Sequence, residues 1–137
     1  MRLSLILPLS LGVTLAISAA AASADKALNA QEFDARTLGR TITYSADGQV
    51  YGMEQYLPGH KVLWSFADGD CQPGSWFENA GQICFDYGPD MALQCWKFLD
   101  TAEGLRAQYQ GDEQNQPLAT LTESTEPLQC NGPDVGV

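Results

Sequence analysis

The stretch GRTITYSADGQVYGMEQYLPGHKVLWSF, residues 39–66, alternates apolar and polar side chains and is interrupted by two turn pairs, Asp47-Gly48 and Pro58-Gly59. Such alternation marks half-buried strands, and Asp-Gly between two alternating runs is the strongest short hairpin signal. With Asp47-Gly48 as the turn, Ala46 faces Gln49, Tyr44 faces Tyr51 and Ile42 faces Met53. With Pro58-Gly59 as the next turn, Leu57 faces His60, Gln55 faces Val62, Met53 faces Trp64 and Tyr51 faces Phe66. The two registers agree. Both place Ile42, Tyr44, Tyr51, Met53, Leu57, Val62, Trp64 and Phe66 on one face of a three-stranded meander, with Thr43, Glu54, Lys61 and Ser65 on the other. A slip of one residue at either turn would scramble this set, because side chains alternate with a period of two. Pro-Gly suits a type II turn, which fits a two-residue hairpin poorly, so a four-residue loop with the same pairing is the alternative.

The rest of the chain repeats this habit. Residues 74–78, 82–87, 93–99, 105–109 and 118–122 read as further strands, the last two more weakly. About eight short antiparallel strands in a meander predict an all-β fold, a small barrel or sandwich. Before the strands, ALNAQEFDARTLG (residues 27–39) carries a helix in miniature. Asn29 can cap, Glu32 completes a capping box, Leu28 can pack on Phe33 and Gly39 can terminate. This short N-terminal helix is expected to cover or plug one opening.

Met1-Arg2, the apolar run at residues 3–22 and the small-x-small sequence Ala22-Ser23-Ala24 predict a cleaved signal peptide over residues 1–24. Pro8, the small-residue end and Asp25 immediately after count against a membrane anchor, so no stable insertion is expected after cleavage. The mature chain divides into a barrel-like domain with its helix (25–124) and an irregular tail (125–137) held by Cys130. All four cysteines lie in the mature part, which in an oxidising compartment reads as two disulfides. If Pro89-Asp90 form a turn, Cys84 falls opposite Cys95, leaving Cys71 for Cys130. A wider turn keeps Cys71–Cys84 with Cys95–Cys130 open.

Six basic side chains stand against 17 acidic ones once Arg2 is removed, a net charge of −11. That charge repels phosphates, so neither nucleic acid nor an anionic lipid surface is an expected partner. It also serves the plain purpose of keeping an exported monomer soluble.

The motifs Glu32-Phe33, Gly39-Arg40-Thr41, Tyr51-Gly52-x-Glu54, Leu57-Pro58-Gly59, Trp64-x-Phe66, Cys71-x-x-Gly74-x-Trp76, Ile83-Cys84-Phe85, Cys95-Trp96 and Cys130-x-Gly132-Pro133 span nearly the whole mature chain. Together they resemble a family of small secreted alphaproteobacterial proteins defined by a domain of unknown function. The resemblance implies a periplasmic setting and carries over no catalytic residue.

Chemistry-bearing residues are sparse. His60 is the single histidine and follows a turn, where a solvated polar residue is ordinary, so no Ser/Cys-His nucleophilic site is expected. One histidine, paired cysteines and no Cys-x-x-Cys spacing leave no zinc set, and Asp68-Gly69-Asp70 reads as a turn rather than a calcium loop. Neither metal nor cofactor is expected. Glu54 is the best single carboxylate, but the register puts it in solvent on the face opposite the core. Aromatic residues are the remaining lead: Trp64 and Trp76, with Tyr51 and Glu54 nearby, could line a barrel mouth and take a small ligand, although small barrels are usually filled by such rings. The leading expectation is a non-catalytic binding module for a small ligand or a protein. An inhibitor of a secreted hydrolase such as lysozyme or a protease, presenting the 68–74 loop, and a carboxylate-dependent enzyme are the alternatives.

Overall fold

Eight strands, each hydrogen-bonded to the next in sequence, leave two edges, and the chain removes both by pairing its first strand with its last. A computed structural model describes residues 26–66, 69–110 and 117–130; the expected signal peptide and Asp68 lie outside them. The order is α1 (Ala30–Thr37), β1 (Thr41–Ala46), β2 (Gln49–Leu57), β3 (Lys61–Phe66), β4 (Cys71–Asn79), β5 (Gln82–Asp86), β6 (Gln94–Thr101), β7 (Gly104–Tyr109) and β8 (Leu118–Ser124). All neighbours are antiparallel, and the sheet closes as an up-and-down barrel. Of the two expected architectures it is therefore the barrel, not the sandwich. Among the described residues no helix is long and apolar enough to cross a membrane.

The Asp47-Gly48 turn forms as expected, with both residues at positive φ and Ala46 opposite Gln49. Beyond it the register shifts. Ser45 still faces Val50, but Tyr44 faces Gly52, so Tyr51 is an extra, bulged residue in β2. At the other end of β2, Pro58, Gly59 and His60 form a three-residue loop, with Gly59 and His60 at positive φ and Leu57 facing Lys61. Each departure is a single residue, and both act on β2 in the same sense. The expected agreement between the registers survives, but the strand presents its other face. Gly52, Glu54 and Tyr56 point into the barrel, and Glu54 and Tyr56 are almost fully buried there. Tyr51, Met53 and Leu57, expected in the core, are exposed or half-buried.

The helix closes one end. The capping box forms, with Glu32 N–H donating to Asn29 Oδ1 (2.9 Å) and Asn29 N–H to Glu32 Oε2 (3.0 Å). Phe33 is fully buried, its ring 5.5 Å from Tyr56, 5.0 Å from Trp76 and 4.6 Å from Phe98. Burial of a side chain of this size is worth about 1.5–3 kcal/mol. Polar bonds fix the helix around the rim: Ala30 N–H donates to Glu78 Oε2 of β4, and Arg36 bonds Asp100 of β6 and Glu123 of β8. The Arg36 guanidinium holds the Glu123 carboxyl below its usual range, so the pair stays ionised.

After β8 the chain turns back as a strap across the outer wall. Thr41 Oγ1 donates to the Glu126 carbonyl, Leu128 N–H donates to Gln55 Oε1, and Cys130 is bonded to Cys71. Cys84 and Cys95 face each other across β5 and β6 and form the second disulfide. Two such bonds belong to an oxidising, non-cytoplasmic compartment. By loop-closure entropy the Cys84–Cys95 bond, closing a short hairpin, contributes about 3 kcal/mol, and the Cys71–Cys130 bond about 4 kcal/mol. Replacing Cys84 and Cys95 together by serine should lower the urea unfolding free energy by about 3 kcal/mol; an unchanged midpoint would show that the hairpin is held by its other contacts alone.

Candidate functional site

The helix seals the end formed by the Pro58–His60 and Ala80-Gly81 turns, so among the described residues the barrel is uncovered at the end carrying Asp47-Gly48 and the Gly88–Leu93 connection. A cavity of about 40 Å³ lies inside that end, within a depression of about 470 Å³ counted out to open solvent. Trp64, Tyr51, Phe66 and Trp96 line its outer part, and Glu54, Tyr44, Tyr56, Tyr87 and Gln94 supply its polar groups.

Two glycines seat rings that line the cavity. A Cβ on Gly52 would lie 2.2 Å from Trp64 Cζ2 and 2.8 Å from the Ser65 carbonyl, so the indole lies over bare backbone. A Cβ on Gly74 would lie 2.6 Å from Tyr87 Cδ1. Tyr87, seated there, reaches across the barrel and donates its hydroxyl to Glu54 Oε1 at 2.8 Å. Tyr44 and Tyr56 form a second polar pair, their hydroxyls 2.8 Å apart.

Glu54 is 1% exposed, and its Oε2 has no hydrogen-bond partner. Burial pushes its carboxyl well above the usual carboxylate range, opposed by the Tyr87 hydrogen bond. Burial likewise raises the phenols of Tyr44, Tyr56 and Tyr87, which stay neutral. The site is thus a carboxyl whose neutral form burial favours, among hydroxyls and aromatic rings, with one acid oxygen lacking a partner. No other carboxylate lines the cavity among the described residues, so a paired acid and base is not assembled there. Nor does any group of three or more His, Cys, Asp or Glu among the described residues stand where it could hold a metal ion.

Of the four residues singled out for ligand contact, the structure brings Tyr51, Glu54 and Trp64 to this one cavity. Glu54 arrives from inside rather than from the solvated face, because the bulge at Tyr51 reverses β2. Trp76 is elsewhere. β4 runs from the mouth at Cys71 toward the closed end, so Trp76 packs beneath Phe33 and stacks on the His60 ring at 3.8 Å. His60 is accordingly half-buried rather than a solvated loop tip, and its carbonyl accepts the Trp76 backbone N–H. Tyr44 is one of the aromatic residues that could line a barrel mouth, and it does, whereas Tyr56 and Tyr87 are not legible as site residues; the Gly74–Tyr87 approach that seats Tyr87 needs the β4–β5 register, which composition does not supply.

Gly52→Ala should cost about 1–3 kcal/mol, since the added methyl meets backbone as well as the indole; it should also shift Trp64 fluorescence, and a variant matching the parent in both would contradict the close packing. For Glu54, the raised folded-state value means that the native protein keeps a proton the unfolded chain releases near 4.5. Its contribution is present below that pH and is lost as pH rises toward the folded value. Glu54→Gln should therefore gain stability relative to the parent as pH increases from 4.5, read by denaturant titration at several pH values; parallel curves would contradict the buried acid. No protein-family model, no curated protein and no solved structure matches this chain.

Proposed function

We propose that the protein is a non-catalytic binding module that takes a small ligand inside the open end of the barrel. One observation carries this reading: Glu54, which lines the aromatic cavity, has a fully buried carboxyl oxygen, Oε2, without a partner. An unsatisfied buried polar atom costs about 1–3 kcal/mol, which a ligand supplying the missing hydrogen bond would recover. Eight strands give an interior just wide enough either to be filled by side chains or to hold one small ligand, and here a cavity remains beside Ala107 although Trp64 and Tyr87 are seated on bare glycine backbone. Apolar walls with a few convergent polar groups are the usual composition of such sites.

The setting we infer is the periplasm or the extracellular space of a bacterium. The leader-like residues 1–24 and the resemblance to secreted alphaproteobacterial proteins support it, and the two disulfides agree with it.

Benzyl alcohol, a small neutral aromatic probe, should perturb amide resonances of Glu54, Trp64 and Tyr87 on titration. Ala107→Phe, which fills the cavity, should abolish that response while unfolding cooperatively. Leu118→Phe provides a second filled variant should the first fail to fold. A parent protein without these shifts, or filled variants that keep them, would overturn the reading.

A further inference from the structure

We propose that the ligand is a small organic ammonium ion, its cationic head against Glu54 inside the cavity and its apolar body resting on the aromatic rim. This rests on reading the cavity as a ligand site, and four observations carry it.

The first is the free oxygen. Glu54 Oε1 is held by the Tyr87 hydroxyl, which leaves Oε2 to receive a donor from the ligand. A bond from a charged donor to a carboxylate is about twice as strong as a neutral one. The second is the aromatic surround. Tyr51 and Phe66 flank Trp64 with ring centroids 5.8 Å and 5.5 Å away, and the faces of such rings attract cations.

Charge distribution is the third. Lys26, Arg36, Arg40 and Lys61 lie at the helix-closed end, and Lys97 and Arg106 stand on the strand walls. The turns and strand ends around the mouth carry Asp47, Asp70, Asp86 and Asp90, with no basic side chain there among the described residues. Acids arranged around an opening concentrate cations before it. An anionic ligand would instead meet Glu54 with no Lys or Arg lining the cavity to compensate.

Size is the fourth. About 40 Å³ admits an ammonium group and its first carbon, since a water needs about 10–15 Å³ on the same measure, whereas a cavity that holds benzene is about 150 Å³. The body of the ligand therefore stays at the mouth. Five large apolar residues stand exposed at that end by strand position: Val50, Tyr51, Phe66, Leu93 and Tyr109.

Binding then has a proton balance. The groups facing Glu54 are the hydroxyls of Tyr87, Tyr44 and Tyr56, all neutral, so an incoming cation favours the ionised Glu54 carboxyl, and the proton that acid gives up goes to solvent. Amine affinity should rise with pH toward the raised Glu54 value, while affinity for a neutral isostere should not change.

The experiment compares benzylamine with benzyl alcohol by calorimetry on the oxidised protein, in two buffers of different ionisation enthalpy. Benzylamine should bind about tenfold tighter at pH 7, with a net release of protons. In Glu54→Gln, which keeps the shape and removes the acid, the two probes should bind equally and no proton should be released. Equal binding of the two probes to the parent would overturn the ammonium assignment and leave the ligand site standing. Failure of both probes to bind would overturn both readings. A preference for benzylamine that persists in Glu54→Gln would assign it to the rim acids instead of Glu54.

Discussion

Strand β2 has nine residues whose alternate side chains must face opposite ways, and the bulge at Tyr51 decides which set enters the barrel. With the bulge, Gly52 lies under Trp64, Glu54 reaches Tyr87 across the interior, and Tyr56 meets both Phe33 and Tyr44. Without it, Met53 and Gln55 would stand in those places, Trp64 would lose the bare backbone beneath it, and Glu54 would return to solvent. The loop of Pro58, Gly59 and His60 completes the arrangement, because it adds the one residue that lets β3 follow the reversed strand. A single backbone irregularity thus links the helix plug, the barrel interior and the polar cluster.

The two ends of the barrel differ in how their polar groups are satisfied. At the closed end Arg36 bonds two carboxylates, Glu78 takes a helix amide, and Trp76 is covered by Phe33 on one side and His60 on another. At the open end a carboxyl is held by one hydroxyl and carries an idle oxygen. Natural proteins tend to keep such unbalanced groups where they bind something. The contrast lies within one continuous sheet, and it marks the open end as the place where stability has been given up.

Much of the fold is legible in the chain because turns and caps have local chemistry. Asp47-Gly48, the Asn29–Glu32 box and the opposed pair Cys84 and Cys95 could each be placed from neighbouring residues, and the structure places them the same way. The bulge could not. Tyr51 is as much a strand residue as its neighbours, and nothing in QVYGMEQYL distinguishes the unpaired position. The agreement between two independently read turns was misleading for a physical reason: each hides one extra residue, and two shifts of the same sense on one strand preserve its pairing logic while reversing its faces. Glu54 and Trp76 were misplaced for different reasons, the first by that reversal and the second by the direction in which β4 runs from mouth to plug. Tyr51 and Trp64 reach the cavity in either reading, because they belong to the strand ends that surround the opening.

Closure of β1 on β8 also dictates an order of assembly. Arg36 finds its partners 64 and 87 residues further along the chain, and β1 lacks one of its two neighbours until Leu118–Ser124 has been made. Contacts of such long range are slow to form, since the entropy of closing the intervening loop must be overcome before any bond rewards it. The meander from β2 to β7 can accumulate hairpin by hairpin and offers Tyr56, Trp76 and Phe98 to the helix, whereas the Arg36–Glu123 pair forms only once β8 is in place. The first element of the chain therefore completes its bonds only with the last strand, and until the helix docks the aromatic interior is uncovered at the end it seals.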